Sequence, residues 1–220
     1  MKRLILFVLA VSLLLTLCGC KFAYTTEGTT GEPATNPAAT DGNKNENKLD
    51  PTLKYYAEIE VENYGKITIL LAQDVAPITC ANFVKLAKSG FYDGLTFHRI
   101  MAGFMMQGGD PEGTGFGGSE ETIFGEFAIN GFMNTLSHKR GVISMARSKA
   151  NNSASSQFFI VHQDSTFLDG SYAAFGYVTE GMDVVDAICA AAKPTDDNGS
   201  IPWDARPVMT SVTIRTENAE

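Results

Sequence analysis

Apolar and polar residues alternate along two adjacent segments early in the chain, which is the pattern of a β-hairpin. Residues 56–61 read Tyr-Ala-Glu-Ile-Glu-Val and residues 66–71 read Lys-Ile-Thr-Ile-Leu-Leu, with an Asn-Tyr-Gly turn between them. Alternation of this kind predicts strands that bury one face. Further short apolar runs predict strands at residues 141–145, 157–162, 173–179 and 208–215.

Two other segments have helical spacing. Residues 74–90 carry Pro77 near their start and Gly90 at their end, which are common signals for the first and last turns of a helix. Residues 180–189 show a second helical pattern. Many short strands with only two helices predict a mainly β protein, in the form of an antiparallel barrel.

The first 19 residues have the features of a lipoprotein signal peptide. Lys2 and Arg3 precede an apolar run at residues 4–17, which is short for a membrane-spanning helix and has the length of the apolar part of a signal peptide. The run ends in Leu-Cys-Gly-Cys at residues 17–20, which resembles a bacterial lipobox. We therefore expect cleavage before Cys20 and lipidation of Cys20. An ordinary secretory signal with a coincidental cysteine is the alternative.

Residues 20–53 are predicted to form a flexible linker that begins at the lipidated Cys20. The segment is rich in Thr, Asn, Gly, Pro and Ala and lacks a periodic apolar pattern, so it cannot bury enough surface to fold. The folded domain is expected to span residues 54–220. Together these features predict a protein held at the extracytoplasmic face of the cell membrane by its lipid anchor.

Charge and side-chain chemistry exclude several classes of function. The formal net charge is −8 and the isoelectric point is near 4.9, which argues against a nucleic-acid partner. The histidines at 98, 138 and 162 lack metal-binding spacing, so neither a metal nor a cofactor is expected. Cys80 and Cys189 lie in the two helical patterns and are predicted to be buried free thiols.

Three stretches in the body of the chain carry a specific combination of residues. The first runs from Phe-His-Arg at residues 97–99 to Gln-Gly-Gly-Asp at residues 107–110. The second reads Gly-Val-Ile-Ser-Met-Ala-Arg at residues 141–147. The third reads Ser-Gln-Phe-Phe-Ile at residues 156–160, with Phe-Leu-Asp-Gly following at residues 167–170. In order and spacing these stretches resemble the cyclophilin family over about residues 54–217.

The resemblance implies a closed eight-stranded antiparallel β-barrel capped by two α-helices at opposite ends. It also implies peptidyl-prolyl cis-trans isomerase activity on proline-containing polypeptide clients, with Arg99 as the catalytic residue. The residues matched to the pocket for the proline ring are Phe104, Met105, Phe159 and Leu168. The residues matched to the border of the groove and the peptide backbone are Gln107, Ala146 and Gln157.

The chain departs from many cyclophilins at three groove positions. Arg147 stands where many relatives have Asn, Phe167 where many have Trp, and Tyr172 where many have His. All three are still expected to border the groove, and the loss of the Trp predicts weak inhibition by cyclosporin. Residues 113–118 fit Gly-x-Gly-x-x-Gly but lack the flanking strand and helix of a dinucleotide site, so they are expected to form a loop beside the groove.

Two functions from different classes follow. The first is an isomerase that assists the folding of exported or envelope proteins. The second is a proline-peptide binding module or holdase, for which the pocket alone would suffice and Arg99 would not be needed. Since Arg99 is present, the enzyme is the preferred hypothesis. A single compact domain makes a monomer the expected state.

Overall fold

A computed structural model of the chain describes residues 48–219. The predicted signal peptide at residues 1–19, Cys20 and most of the linker at residues 20–53 lie outside the described residues. Within residues 48–219, no helix is long and apolar enough to cross a membrane.

Eight strands form one antiparallel sheet with the order β3-β4-β6-β5-β7-β2-β1-β8. The predicted hairpin is β1 and β2, whose register pairs Ile59 with Ile67. The strands are β1 (Leu53–Val61), β2 (Gly65–Leu71), β3 (Phe97–Met101), β4 (Met105–Gly108), β5 (Val142–Met145), β6 (Phe158–Val161), β7 (Ala174–Glu180) and β8 (Met209–Asn218).

The sheet is an open, curled half-barrel, and the predicted closed barrel is wrong in this respect. The edge strands β3 and β8 meet only at one end, through the bridge between Thr96 and Val208 and the backbone hydrogen bonds beside it. The free edge of β3 is instead paired by the segment at residues 199–201. The Ile100 N–H donates to the Gly199 carbonyl at 2.8 Å, and the Ile201 N–H donates to the His98 carbonyl at 3.0 Å. Because this segment takes the hydrogen bonds of β3 beyond that bridge, β3 and β8 do not pair further and the barrel stays open.

The two faces of the sheet bury different sets of side chains. On β6, Phe158 and Ile160 belong to the main core, whereas Phe159 and Val161 belong to a second, smaller cluster. The same alternation separates Met106 from Met105 on β4. Since successive residues of a strand point to opposite faces, the main core and the smaller cluster lie on opposite sides of the sheet.

The two predicted helices are α1 (Pro77–Lys88) and α2 (Met182–Ala191), and both pack on the main core. Phe83 of α1 has its ring centroid 5.0 Å from that of Tyr92 and 5.5 Å from that of Phe158. Aromatic pairs at such distances stabilise a core beyond the area that they bury. Phe83 therefore anchors α1 to the sheet.

The first turn of α1 is capped by a carboxylate from a distant part of the chain. Glu126 is fully buried, and its two oxygens accept hydrogen bonds from the Ile78 N–H at 3.0 Å and the Thr79 N–H at 2.8 Å. Burial raises the pKa of the Glu126 carboxyl, and the hydrogen bonds from Thr79 and Ile78 partly oppose that rise. An acidic group at a helix N-terminus satisfies free N–H groups and interacts favourably with the helix dipole.

The two cysteines of the described residues are free and buried, as predicted. Cys80 on α1 donates to the Phe175 carbonyl at 3.3 Å, and burial raises the pKa of its thiol. Burial likewise raises the pKa of the Cys189 thiol on α2 to about 11. Both thiols are therefore protonated and unreactive at neutral pH.

Candidate active site

A cavity of about 510 Å³ lies on the side of the sheet that carries the smaller apolar cluster. Met105, Phe159 and Leu168 form its apolar floor, and all three are buried. Phe104 packs against this cluster and stands at its edge. The structure thus brings together the four residues predicted to hold a proline ring.

Arg99 projects from β3 beside this apolar floor and is held on three sides. Its Nε donates to the Asn198 carbonyl at 2.7 Å, and its Nη1 donates to Gln107 Oε1 at 3.1 Å. The guanidinium carbon lies 6.0 Å from the ring centroid of Phe104. Burial lowers the pKa of Arg99, with Tyr172 and Asp196 opposing that effect. A guanidinium nevertheless stays protonated at physiological pH, so Arg99 offers a fixed positive charge at the edge of the pocket.

A chain of side-chain amides continues from Arg99 across the sheet. Gln107 is the register partner of Arg99 on the neighbouring strand β4. Its Nε2 donates to Gln157 Oε1 at 2.8 Å, and Gln157 Nε2 donates to the Gly117 carbonyl at 2.7 Å. Each amide oxygen accepts from one neighbour while the amide nitrogen donates to the next, so the orientation of both glutamines is fixed.

Arg147 lines the main cavity and stacks on two aromatic rings. Its guanidinium carbon lies 4.8 Å from the ring centroids of both Phe127 and Tyr172, and its Nε donates to the Ser171 carbonyl at 2.8 Å. Stacking of this kind is a property of the planar guanidinium. Arg147 therefore fixes the ring of Tyr172, which in turn meets Phe159 edge-on at 5.9 Å.

Two predicted residues lie beside the main cavity. Gln157 lines a second cavity of about 460 Å³, which shares Gln107, Ala146 and Arg147 with the first. Phe167 has 73% of its surface exposed and packs against Phe104 with a ring separation of 5.6 Å. The main cavity includes the other predicted residues, namely Arg99, Phe104, Met105, Gln107, Ala146, Arg147, Phe159, Leu168 and Tyr172.

Part of the cavity wall is formed by two segments that lie outside the three motifs. The glycine-rich loop at residues 113–116 lines it, in agreement with its expected place beside the groove. Asn198, Ser200 and Arg206 also line it, and the sequence reasoning missed them. Their segment lies about a hundred residues after Arg99 and has no periodic pattern, so only the pairing of residues 199–201 with β3 brings it to the site.

Asp110 holds the glycine-rich loop in place through hydrogen bonds to the backbone of the loop. The side chain is buried, and its carboxylate accepts from the backbone N–H groups of Glu112 at 2.8 Å and Gly115 at 2.6 Å. Burial acts to raise the pKa of Asp110, but the backbone N–H donors outweigh it, and the pKa is lowered. The loop is therefore held against the cavity by an ionised carboxylate.

His98 lines the cavity and, within residues 48–219, neither ring nitrogen has a hydrogen-bond partner. Only 6% of its surface is exposed. Burial lowers its pKa, and the charge of Asp110 opposes that shift. His98 therefore contributes packing to the wall of the cavity.

His138, Asp169 and Ser144 form a Ser-His-Asp arrangement in which His138 and Ser144 are buried and Asp169 is exposed. His138 Nδ1 lies 2.7 Å from Asp169 Oδ1, and its Nε2 lies 2.9 Å from Ser144 Oγ. The assignment that satisfies all three groups has Nδ1–H donating to Asp169 and the Ser144 hydroxyl donating to Nε2. Ser144 is fully buried and does not line the cavity, so it cannot attack a substrate. The imidazole instead stacks on Phe159 at 6.1 Å and supports the pocket floor.

The half-barrel and its groove define a β-sheet protein whose outer face offers an apolar pocket, a fixed guanidinium and oriented amides to one ligand. The family model described as "Cyclophilin type peptidyl-prolyl cis-trans isomerase/CLD" matches residues 56–217, which is more than half of the chain. The chain therefore belongs to the cyclophilin-type peptidyl-prolyl cis-trans isomerases and is an enzyme of that activity.

Curated proteins and solved structures of this family are similar to the chain. Peptidyl-prolyl cis-trans isomerase B of Bacillus subtilis is 46% identical over 123 residues, covering 56% of this chain and 82% of that protein. Peptidyl-prolyl cis-trans isomerase-like 2 of Rhizopus delemar is 44% identical over 136 residues, covering 61% of this chain but only 25% of that longer protein. A crystal structure of a cyclophilin from Cryptosporidium parvum, determined in the presence of the dipeptide Ala-Pro, has a TM-score of 0.64 and 31% identity, covering 73% of this chain and 98% of that one.

Proposed function

We propose that this isomerase is a lipoprotein that accelerates X-Pro rotation in exported or envelope proteins, with Arg99 as its catalytic residue. The observation that carries the catalytic part is the position of the Arg99 guanidinium, held by Asn198 and Gln107 beside an apolar pocket. The anchoring part rests on the sequence of residues 1–20. Proline-containing polypeptides are the substrates.

The reaction breaks no covalent bond, so the enzyme has only to stabilise a twisted amide. Resonance gives the peptide bond a rotational barrier of about 18–20 kcal/mol, and an X-Pro bond left alone isomerises in tens to hundreds of seconds. In the twisted state the nitrogen loses conjugation and its lone pair becomes able to accept a hydrogen bond. An enzyme that binds this state better than either planar state accelerates the reaction in both directions.

Arg99 supplies the interaction that favours the twisted amide. Its charge is permanent, and its donors are arranged in a rigid fork. Asn198 and Gln107 hold the guanidinium before substrate arrives, so little reorganisation is needed during the reaction. A donor aimed at the prolyl nitrogen or the carbonyl beside it becomes more strongly bound as the nitrogen becomes pyramidal.

The apolar pocket supplies a fixed point about which the bond rotates. Met105, Phe159 and Leu168 form a floor that suits a pyrrolidine ring, with Phe104 at the edge. When the ring is seated, the chain before the proline is the part that turns. The same floor excludes water, which strengthens the interaction with Arg99. The Cryptosporidium relative solved in the presence of Ala-Pro supports a proline ligand for this groove.

Acyl labelling of two cysteine variants tests the anchoring part of the proposal. In a bacterial host supplied with radiolabelled palmitate, the wild-type chain should incorporate label and fractionate with membranes. Cys20→Ala should abolish both labelling and cleavage of the signal peptide. Cys18→Ala is the matched control, since a small residue two positions before the lipidated cysteine suits a lipobox, and it should label like the wild type. Equal labelling of Cys20→Ala and the wild type would rule out this anchor.

A further inference from the structure

Arginines at the groove differ from other arginines of the described residues in how their charge is balanced. Arg140 pairs with Asp186 at 2.7 Å, and Arg215 pairs with Glu58 at 3.1 Å. Within residues 48–219, the three arginines that line the main cavity have no carboxylate within ion-pair distance: Arg99, Arg147 and Arg206. The unpaired arginines of this part of the chain therefore all line the substrate site.

Neutral groups orient these three side chains. In each case a backbone carbonyl accepts from the guanidinium Nε: Asn198 for Arg99 at 2.7 Å, Ser171 for Arg147 at 2.8 Å and Ile201 for Arg206 at 2.9 Å. A carbonyl fixes the direction of a guanidinium without cancelling its formal charge. All three side chains are also half-buried, which weakens the screening of their charge by solvent.

The walls of both cavities lack acidic side chains among the described residues. Two carboxylates act on the cations from outside the lining, since Asp110 faces His98 and Asp196 faces Arg99. Asp110 is occupied by the N–H groups of the glycine-rich loop, and Asp196 accepts from the Ser200 N–H at 2.9 Å and from its hydroxyl at 2.8 Å. Donors of this kind offset part of a carboxylate's charge. The groove thus presents positive charge to a ligand in a chain whose net charge is −8.

The three arginines are distributed over the two adjoining cavities. Arg99 and Arg206 line only the main cavity, whereas Arg147 lines both cavities. An extended peptide advances about 3.3 Å per residue, so a chain seated at the apolar floor passes these side chains within roughly three residues of its proline. A negative side chain in that interval meets an unpaired guanidinium.

We propose that the groove selects acidic clients, that is, polypeptides with Asp or Glu within about three residues of the isomerised proline. The inference rests on the isomerase activity proposed for the same groove and adds the substrate class. Guanidinium groups take carboxylates through two parallel hydrogen bonds, so the preference is for a carboxylate and not merely for a polar residue. A lysine at the same positions is repelled.

A matched peptide series tests the preference directly. The peptides carry Glu, Gln or Lys at one position, two residues before or two residues after a single proline. With the purified chain at about 0.01 M salt, kcat/KM for the better-placed Glu peptide should exceed that for its Lys counterpart by roughly five- to tenfold. The ratio should fall towards one at about 1 M salt, where the screening length is only about 3 Å.

Three variants separate charge from structure. Arg206→Gln should reduce the ratio of the Glu to the Lys rate by about two- to threefold, whereas Arg206→Lys, which keeps the charge, should preserve it. Arg140→Gln is the matched control, because it changes the net charge equally but lies outside the lining of both cavities. It should leave the ratio unchanged.

The outcomes distinguish the inference from the function on which it rests. Rapid turnover of the Gln peptide with equal rates for the Glu and Lys peptides at low salt would refute the charge preference and leave the isomerase intact. Absence of turnover for every peptide would instead reject the proposed activity. Binding would then decide the charge preference, since Trp203 is the single tryptophan of the chain and stacks on Arg206 at 4.7 Å. Equal dissociation constants for the Glu and Lys peptides, measured by its fluorescence, would also reject the inference.

Discussion

At the scale of single residues, the site depends on side chains that orient other side chains. Gln107 links Arg99 to Gln157, and Tyr172 is held by Arg147. His138 supports Phe159 from behind the pocket. The sequence motifs identify which residues meet a substrate, but the hydrogen bonds that fix those residues become visible only in three dimensions.

Substitution of Gln107 by Leu tests this positioning role. Leu fills a similar volume but cannot accept a hydrogen bond from Arg99. The guanidinium therefore loses one of the two oxygen atoms to which it donates. A hydrogen bond to a charged group contributes about 1.5–3 kcal/mol, and we expect kcat/KM for an X-Pro peptide to fall by roughly tenfold or more. The loss should lie mainly in kcat, because orientation matters most in the twisted state.

The matched control for this substitution is Gln73→Leu. Gln73 also donates through its side-chain amide, to the Leu53 carbonyl at 2.6 Å, but it lies outside both cavities. Its replacement should leave kcat/KM unchanged. Equal losses in the two variants would mean that Gln107 acts through general stability and not by positioning Arg99.

At the scale of elements, α1 depends on a partner that is distant in sequence. Helical spacing, Pro77 and Gly90 are local signals, and they were enough to predict the helix. Glu126 lies 48 residues beyond Ile78 and carries no recognisable capping pattern, so its contact with the first turn could not be predicted. Local sequence specifies where this helix forms, and tertiary structure completes its N-terminus.

Removal of the capping carboxylate should destabilise the domain. Glu126→Ala leaves the N–H groups of Ile78 and Thr79 buried without an acceptor, which costs about 1–3 kcal/mol. Urea denaturation followed by circular dichroism measures this as a lower midpoint at an unchanged slope. Glu121→Ala is the control, because Glu121 makes an exposed ion pair with Lys85, and its loss should change stability by less than about 1 kcal/mol. Equal effects of the two variants would contradict the capping role.

At the scale of the whole molecule, the sequence identifies the strands better than it identifies their closure. Alternation predicted β1 and β2, and short apolar runs predicted β5 to β8, each to within a few residues, whereas the pattern did not predict β3 and β4. How far β3 pairs with β8 depends on which segment takes the rest of the free edge of β3. Residues 199–201 compete successfully for that edge, and nothing in their composition marks them as a strand.

The same segment explains why part of the site was missed. By pairing with β3, it brings Asn198 into contact with Arg99 and completes one wall of the groove. Arg206, a few residues later in the chain, lines the same groove. The open edge and the missed residues therefore have a single structural cause. The residues predicted from motifs lie on β3, β4 and β6, directly before β4 and β6, directly after β5, or at residues 167–172.

The most direct test of the account is the cis-to-trans rate of an X-Pro peptide with the wild-type chain and its Arg99→Ala variant. We expect a fast wild type and a variant that is slower by roughly 10²-fold or more, in line with the loss of about 2.7 kcal/mol of transition-state stabilisation. Arg140→Ala, which removes an arginine outside the groove, should match the wild type. A folded Arg99→Ala variant that is as fast as the wild type would contradict the central role of Arg99, and a folded wild type with no activity would contradict the enzyme itself.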